Sequence, residues 1–349
     1  MIELKESDSF AIFRLPDDNV VYFIRQIIPH NIDFESKIFD RSGFIIFPFD
    51  IIHHKKVFIS ADEILINPSF KFTKEEETEI SATSESEYNT ISAKFIDEIE
   101  KGNFQKIVHS KIKTIENHGI DIAKLFQKIA NSNKKAFVFL FNSPDTGTWL
   151  GATPEKLLTG NNNNYETTAL AGTQFNDINA SEEWSAKEID EQAHVMDHIE
   201  NILNNQGIKY IKNGPYTRIA SQVDNKKLIH IASDYQFKLN TGIENLVMNL
   251  HPTPAVSGVP KDGAIHFIRD NEKHDRRYYS GFCGPVNVVE NNEINLFVIL
   301  RCMEIFKNKL LLYLGGGIVK GSRSEKEWLE TENKAIILEN VINSLVKKN

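Results

Sequence analysis

The stretch "GGGIVKGSRSEKEWLETENK", residues 315–334, passes from a glycine run through a short charged loop into a helix that opens on acids. Ser324 followed three residues later by Glu327 is a capping-box pattern and marks the helix start. Residues three or four apart share a helix face, so Glu327 and Glu330 point together, with Trp328 between them in the chain. Glu325 and Glu332 add negative charge, and like charges at this spacing repel by roughly 0.2–0.5 kcal/mol unless a cation joins them. As local structure alone, the acids complement the positive end of the helix dipole. As chemistry, they ask for a cation.

Gly315, Gly316, Gly317 and Gly321 would let backbone N–H groups approach an anion closely. A nucleotide P-loop needs a lysine before its Ser/Thr, but Ser322 follows Gly321 directly, and the run comes too late for a Rossmann fingerprint. A carboxylate is the anion that suits it; the alternative is a tight structural turn.

A second acidic helix is expected from about Ser181 to Asn204. Within it, "SAKEIDEQAHVMDHI" sets Glu188 and Glu191 three apart beside Lys187. Two helices with the same carboxylate spacing suit Mg²⁺, which takes one or two direct carboxylates and keeps several waters. His194 and His198, four apart, offer a rival zinc face, but "HVMDH" lacks the glutamate of a protease motif. Arg301 in "LRCMEIF" reads as a guanidinium inside an apolar strand. It needs an anionic partner, either an internal acid or a substrate. "LHPTPAVSGVP" (250–260) reads as an ordered loop.

The whole chain of 349 residues is 41% hydrophobic and 25% charged, with net charge −8, which argues against a sequence-independent grip on nucleic acid or an anionic membrane. Its two cysteines, Cys283 and Cys302, form no metal-binding spacing and fit a reducing compartment. The start "MIELKESDSF" has no signal-peptide pattern, and no apolar run reaches the ~18 residues of a membrane span. A cytoplasmic protein is expected.

Residues 1–88 read as short antiparallel strands ending in an acidic surface linker (71–88). Helices are expected near 90–102 and 121–132, and strands at 106–115 and 136–143. Beyond them come a hairpin around 161–164, a strand at 228–239 and a short helix at 260–270. Strands at 277–289, 294–306 and 309–319 follow, with a final helix from Ser324 to about Leu345. The fold class is α/β (α+β): one large domain, 1–349, of antiparallel sheets flanked by helices.

Taken in order, "KIVHSK", "LGATPEKLL", "TALAGT", "KEIDEQ", "LHPTPAVSGVP", "RYYSGFCGP", "LRC" and "GGGIVKGSRSEKEWLETENK" resemble the chorismate-utilising enzymes over residues 90–349. That family includes isochorismate synthase, the large component of anthranilate synthase, aminodeoxychorismate synthase and salicylate synthase. The resemblance implies that Glu188, Glu191, Glu327 and Glu330 hold Mg²⁺ and that Lys334 meets a substrate carboxylate. It implies Lys106 as the base that activates water and a protonated Glu155 as the acid for the departing C4 hydroxyl. Arg301 and Tyr279 would hold the enolpyruvyl carboxylate. Gly315 and Gly317 would help bind the ring carboxylate, and Gly172, Thr173 and His251 would border the ring.

Two positions choose the nucleophile within the resemblance. Anthranilate synthases have glutamine where Lys106 stands, and aminodeoxychorismate synthases have a lysine where Ala171 stands. Both point to water, hence to an isochorismate synthase whose product enters menaquinone or siderophore synthesis. A salicylate synthase and a catalytically silent homologue are the alternatives. A water-using enzyme needs no amidotransferase subunit, and a monomer is expected. Lys111, Gln192 and Gly316 depart from the commonest family residues (arginine, histidine and alanine) without removing a proposed catalytic group.

Overall fold

In "AFVFLFNS" (136–143) successive side chains enter different cores. Phe137, Phe139 and Phe141 join an aromatic layer, whereas Val138 and Leu140 face helices on the opposite side. A period-two strand that is apolar on both faces must be covered on both.

The computed structural model shows the covers; it describes residues 1–28, 38–180, 182–223 and 225–346. A nine-stranded sheet runs Gly258–Val259, Lys106–Glu116, Lys309–Val319, Cys302–Ile305, Gly147–Thr153, Phe137–Ser143, Ser9–Arg14, Tyr22–Gln26, Glu63–Ile66. An eight-stranded sheet runs Tyr210–Val223, Lys226–Lys238, Asn164–Asp177, Lys156–Asn161, Glu293–Val298, Phe282–Val286, Gly43–Phe47, Val57–Ser60. Pairing within both is antiparallel, while Ile2–Leu4 and Phe70–Phe72 form a separate parallel ribbon. The helices are α1 (Glu85–Glu100), α2 (Ile122–Ser132), α3 (Ala186–Asn205), α4 (Ile243–Leu250), α5 (Lys261–Asn271) and α6 (Ser324–Val346).

The two sheets pack face to face through the aromatic layer, where Phe137 and Phe297 stack with centroids 4.3 Å apart. Helices α2 and α6 cover the outer face of the larger sheet, and α3 and α4 that of the smaller. The expected antiparallel sheets flanked by helices are therefore present, and strands from the first 66 residues belong to both.

Several boundaries differ from the sequence reading. The 71–88 segment is not wholly a linker: it begins within the Phe70–Phe72 strand and ends in the first turn of α1, where Tyr88 is buried. Ser181, the expected start of the third helix, lies outside the described residues; the helix begins at Ala186 after Ser185. Tyr210–Val223 is a strand that was not anticipated, because an edge strand rich in polar residues lacks apolar alternation. The short apolar α4 was missed for want of a length that separates helix from strand. The 277–289 strand shrinks to Phe282–Val286, because Arg277 and Ser280 turn the preceding chain at φ 49° and 65°. The 294–306 segment is two strands, in different sheets, parted at Arg301. Among the described residues no helix is long and apolar enough to cross a membrane.

Candidate active site

The chain steps from one sheet to the other twice, side by side. Gly147–Thr153 belongs to the larger sheet and Lys156–Asn161 to the smaller, and Pro154 and Glu155 form the step. Glu293–Val298 and Cys302–Ile305 make the reverse step through Arg301, whose φ is 47°. The steps are bonded together: Val298 N–H donates to the Glu155 carbonyl (3.0 Å) and Ala152 N–H to the Arg301 carbonyl (3.1 Å). Arg301 therefore does not sit inside a strand as expected. It occupies a left-handed kink that turns its side chain into the mouth between the sheets.

That mouth is a cleft with about 700 Å³ of space, open solvent included. It is lined by Glu155, Gly172, Thr173, Glu191, Tyr279, Arg301, Gly315, Gly317 and Lys334 from the expected set, with Ala171, His230 and Tyr313 beside them. Burial drives the Glu155 carboxyl up to about 7, against the pull of Lys106, Arg301 and Lys334. An acid so placed still carries its proton near neutrality.

The glycine run is no turn. Gly315, Gly316 and Gly317 pair with Ser110, His109 and Val108 inside a long antiparallel ladder, whereas the strand on their other side pairs only as far as Tyr313. Alternate backbone groups of the run are thus left to the cleft. The missing Cβ atoms matter on the face that Gly315 and Gly317 share. A Cβ on Gly315 would lie 2.6 Å from the Tyr279 hydroxyl, and one on Gly317 would lie 3.0 Å from Lys106 Cε and strike the Glu191 carboxylate. Lys106 is fully buried at the far end of the ladder, and its Nζ lies 2.9 Å from Glu191 Oε1. Burial pushes the Glu191 carboxyl up, but Lys106, Lys334 and Lys187 together bring it below the usual range.

The acids of α3 and α6 converge, each with an ammonium. Lys187 Nζ lies 2.6 Å from Glu327 Oε1, and Lys334 Nζ lies 2.7 Å from Glu330 Oε1. Burial, and then Glu330, raise the Glu327 carboxyl, while Lys187 opposes them. Glu188 does not join this group: Ser185 donates to its Oε2 from both N–H and hydroxyl, so it completes the capping box of α3. Lys334 also donates to the Gly315 carbonyl (2.9 Å), so it is tethered at the cleft wall rather than extended into the space. Among the described residues, no three His, Cys, Asp or Glu side chains are gathered as a metal site in their present rotamers. One observation nevertheless fits a hard cation: Glu327 is fully buried, and its Oε2 accepts no hydrogen bond of ordinary geometry.

Trp328 has a different task from its neighbours. Its ring lies under Lys111 Nζ, 2.9 Å from the centroid, and Lys111 also reaches Glu332 Oε1 at 2.5 Å. Lys113 takes Glu332 Oε2 at 2.7 Å. These contacts fasten the first turns of α6 to the strand that carries Lys106.

Arg301 finds no internal acid. Its Nη2 donates to His230 Nε2 at 2.6 Å, and among the described residues no carboxylate forms an ion pair with it. Burial lowers the guanidinium to about 10, with Glu155 the one charge opposing that. His230 Nδ1 lies 3.0 Å from the Gly172 carbonyl, an acceptor, so this nitrogen carries the proton and Nε2 is free to accept. Burial, and then Arg301, keep His230 neutral well below its usual range. Gly172 itself is a bulge at φ 65°, where the pairing between Asn164–Asp177 and Lys226–Lys238 slips by one residue. His230 was not anticipated. Its only signal is a histidine interrupting the apolar alternation of "LIHIAS".

One expected contact falls elsewhere, and a rival reading does too. His251 is buried against Phe282, with Nε2 3.3 Å from the Pro48 carbonyl, and lies outside the cleft lining. The rival zinc face is packing: His198 Nε2 lies 3.2 Å from the Leu250 carbonyl, which ties α3 to α4.

Residues 53–343 match the family model described as chorismate binding enzyme. This chain belongs to the chorismate-binding enzymes. The vibriobactin-specific isochorismate synthase of Vibrio cholerae is 25% identical to this chorismate-binding enzyme over 292 residues, 80% of this chain and 72% of that protein. Isochorismate synthase EntC of Escherichia coli is 29% identical over 248 residues, 68% of this chain and 62% of that one. The alignments thus span roughly two thirds of these relatives' lengths. The solved structure of MenF, the menaquinone-specific isochorismate synthase of Escherichia coli, superposes with a TM-score of 0.78 at 18% identity, covering 97% of this chain and 89% of that one, a likeness of fold.

Proposed function

We propose that this chorismate-binding enzyme isomerises chorismate to isochorismate, adding water at C2 and expelling the C4 hydroxyl. The observation that carries the reading is one cleft with Glu155 in its wall, Lys106 beneath it and Ala171 where a nucleophilic lysine would otherwise stand. Lys106, acting as the free amine, takes a proton from the attacking water. Glu155, protonated up to about pH 7, gives its proton to the leaving hydroxyl, so one water enters and one departs. Arg301, a half-buried cation whose hydrogen-bond partner is neutral, receives the enolpyruvyl carboxylate with Tyr279. Lys334 and the unpaired backbone edge of Gly315–Gly317 receive the ring carboxylate.

Mg²⁺ belongs to the same proposal, with Glu191, Glu327 and Glu330 as its holders; Glu188 would have to leave its cap to join them. When bound, the ion would neutralise negative charge on the ring carboxylate. Water as nucleophile requires no ammonia-supplying amidotransferase, and we further propose a cytoplasmic monomer.

The test is incubation of the purified chain with chorismate, with Mg²⁺ or EDTA and with ammonium in a parallel sample, followed by chromatography. Mg²⁺-dependent isochorismate without salicylate, pyruvate or anthranilate is expected. Salicylate with equal pyruvate would replace the activity while keeping the site, and no product from folded protein would overturn the proposal.

A further inference from the structure

The carboxylates between α3 and α6 already hold a cation that belongs to the chain. Lys187 Nζ lies 2.6 Å from Glu327 Oε1, and Glu330 and Glu191 attract the same ammonium. Glu327 is the most enclosed of these acids: its side chain is 1% exposed, against 28% for Lys187. Its second oxygen, Oε2, is buried and accepts no hydrogen bond of ordinary geometry, with the Ser322 hydroxyl a weak polar support to the carboxylate. The acid is therefore incompletely satisfied, by an ammonium on one oxygen and at best weakly by Ser322 on the other.

We infer that Lys187 is an internal placeholder cation, which holds Glu327 beside Glu330 in the metal-free chain and surrenders Glu327 when a divalent cation binds. The inference rests on the Mg²⁺ reading above. An ammonium offers a single positive charge and three donors, too little for converging carboxylates. A divalent ion takes oxygens directly at short range, and it repels an ammonium that shares one of those oxygens. Both cannot sit on Glu327 at full strength. Lys187 has somewhere to go: it is partly exposed near the start of α3, on a flexible four-carbon stem. The device keeps a buried acid and its neighbour from repelling each other before metal arrives, and it weakens metal binding as a result.

The experiment measures Mn²⁺ binding by electron paramagnetic resonance and melting with and without Mn²⁺, for the wild type, Lys187→Gln and Lys187→Arg. Lys187→Gln should bind Mn²⁺ roughly tenfold tighter, and should melt lower than the wild type without metal but not with it. Lys187→Arg, which keeps the cation, should stay near the wild type. Unchanged or weaker binding by Lys187→Gln, with binding by the wild type, would overturn this inference alone. A wild-type chain that binds no Mn²⁺ would overturn the Mg²⁺ reading and this inference with it. If Lys187→Gln does not fold, a structure of the wild type with Mn²⁺ decides. Nζ beyond about 4 Å from Glu327 supports the exchange, and Nζ still paired there refutes it.

Discussion

Replacing Gly317 with alanine sets a methyl group against the proposed base and its acid partner. The new Cβ would stand 3.0 Å from both Lys106 Cε and Glu191 Cδ, with Glu191 Oε1 closer still. Carbon atoms in contact sit about 3.5–4.0 Å apart, so one or both side chains must move by ~1 Å. The backbone offers little relief, because Gly316, Gly317 and Ile318 are locked in register against His109, Val108 and Ile107. Gly317 is not in the left-handed region, so the effect is steric alone. A reacting group misplaced by ~1 Å costs on the order of 100-fold in turnover. Overpacking of this kind costs about 1–3 kcal/mol, which for a chain of 349 residues lowers the melting temperature by about 1.5–4 °C. The assay is chorismate turnover by chromatography alongside thermal melting, with Gly316→Ala as the comparison. A Cβ on Gly316 would lie 3.5 Å from Glu327 Oε2 and 3.6 Å from Glu330 Oε1, which is ordinary contact. That variant should keep turnover within about threefold. Equal losses in the two variants, or turnover within about threefold in Gly317→Ala, would refute the placement of the acid–base pair against this glycine.

Turnover should fall as pH rises through about 7, because Glu155 must be protonated to act and burial holds its pKa there. The sign for stability is the same: the raised pKa favours folding below the ordinary 4.5, and that contribution is lost on passing about 7. Glu155→Gln should therefore lose turnover by at least about 100-fold, yet gain melting temperature more at pH 8 than at pH 5; a flat difference between the two pH values would refute the shifted acid. Arg301→Met should raise KM for chorismate by about 100-fold with little loss of stability, since it removes a half-buried cation that lacks an ion-pair partner. A large fall in melting temperature would instead assign Arg301 to the core. Lys111→Met should cost about 1–3 kcal/mol and weaken Mn²⁺ binding, through loosening of α6 against the Lys106 strand; stability lost with unchanged Mn²⁺ affinity would separate that brace from the site.

The residues of the cleft were more legible than the geometry that gathers them. Local patterns set out most helices and the long strands, because apolar periodicity and capping act over a few residues. Glu188 shows the limit of spacing arguments: three residues from Glu191 on one helix, it turns back to cap Ser185 instead of joining the acids. Arg301 shows another. An apolar run with no proline or glycine reads as one strand, but its two halves belong to different sheets, and only long-range pairing makes the break. The glycine run reads locally as an anion site or as a tight turn, whereas Tyr279, Glu191 and the α6 acids crowd it from distant parts of the chain. His230 was hidden because its partners Arg301, Gly172 and Thr173 lie 71, 58 and 57 residues away.

The paired steps between sheets bear on how the chain acquires its function during folding. Each sheet can form hairpins on its own, but Glu155 and Arg301 meet only when both sheets are present and docked. The Lys106–Glu116 strand must also find a partner about two hundred residues downstream, a closure that is paid late because distant pairing is slow. An intermediate with undocked sheets is then blind to substrate. Chorismate would lengthen the lifetime of the finished chain without hastening its assembly, so the ligand acts on the unfolding rate and leaves the folding rate untouched.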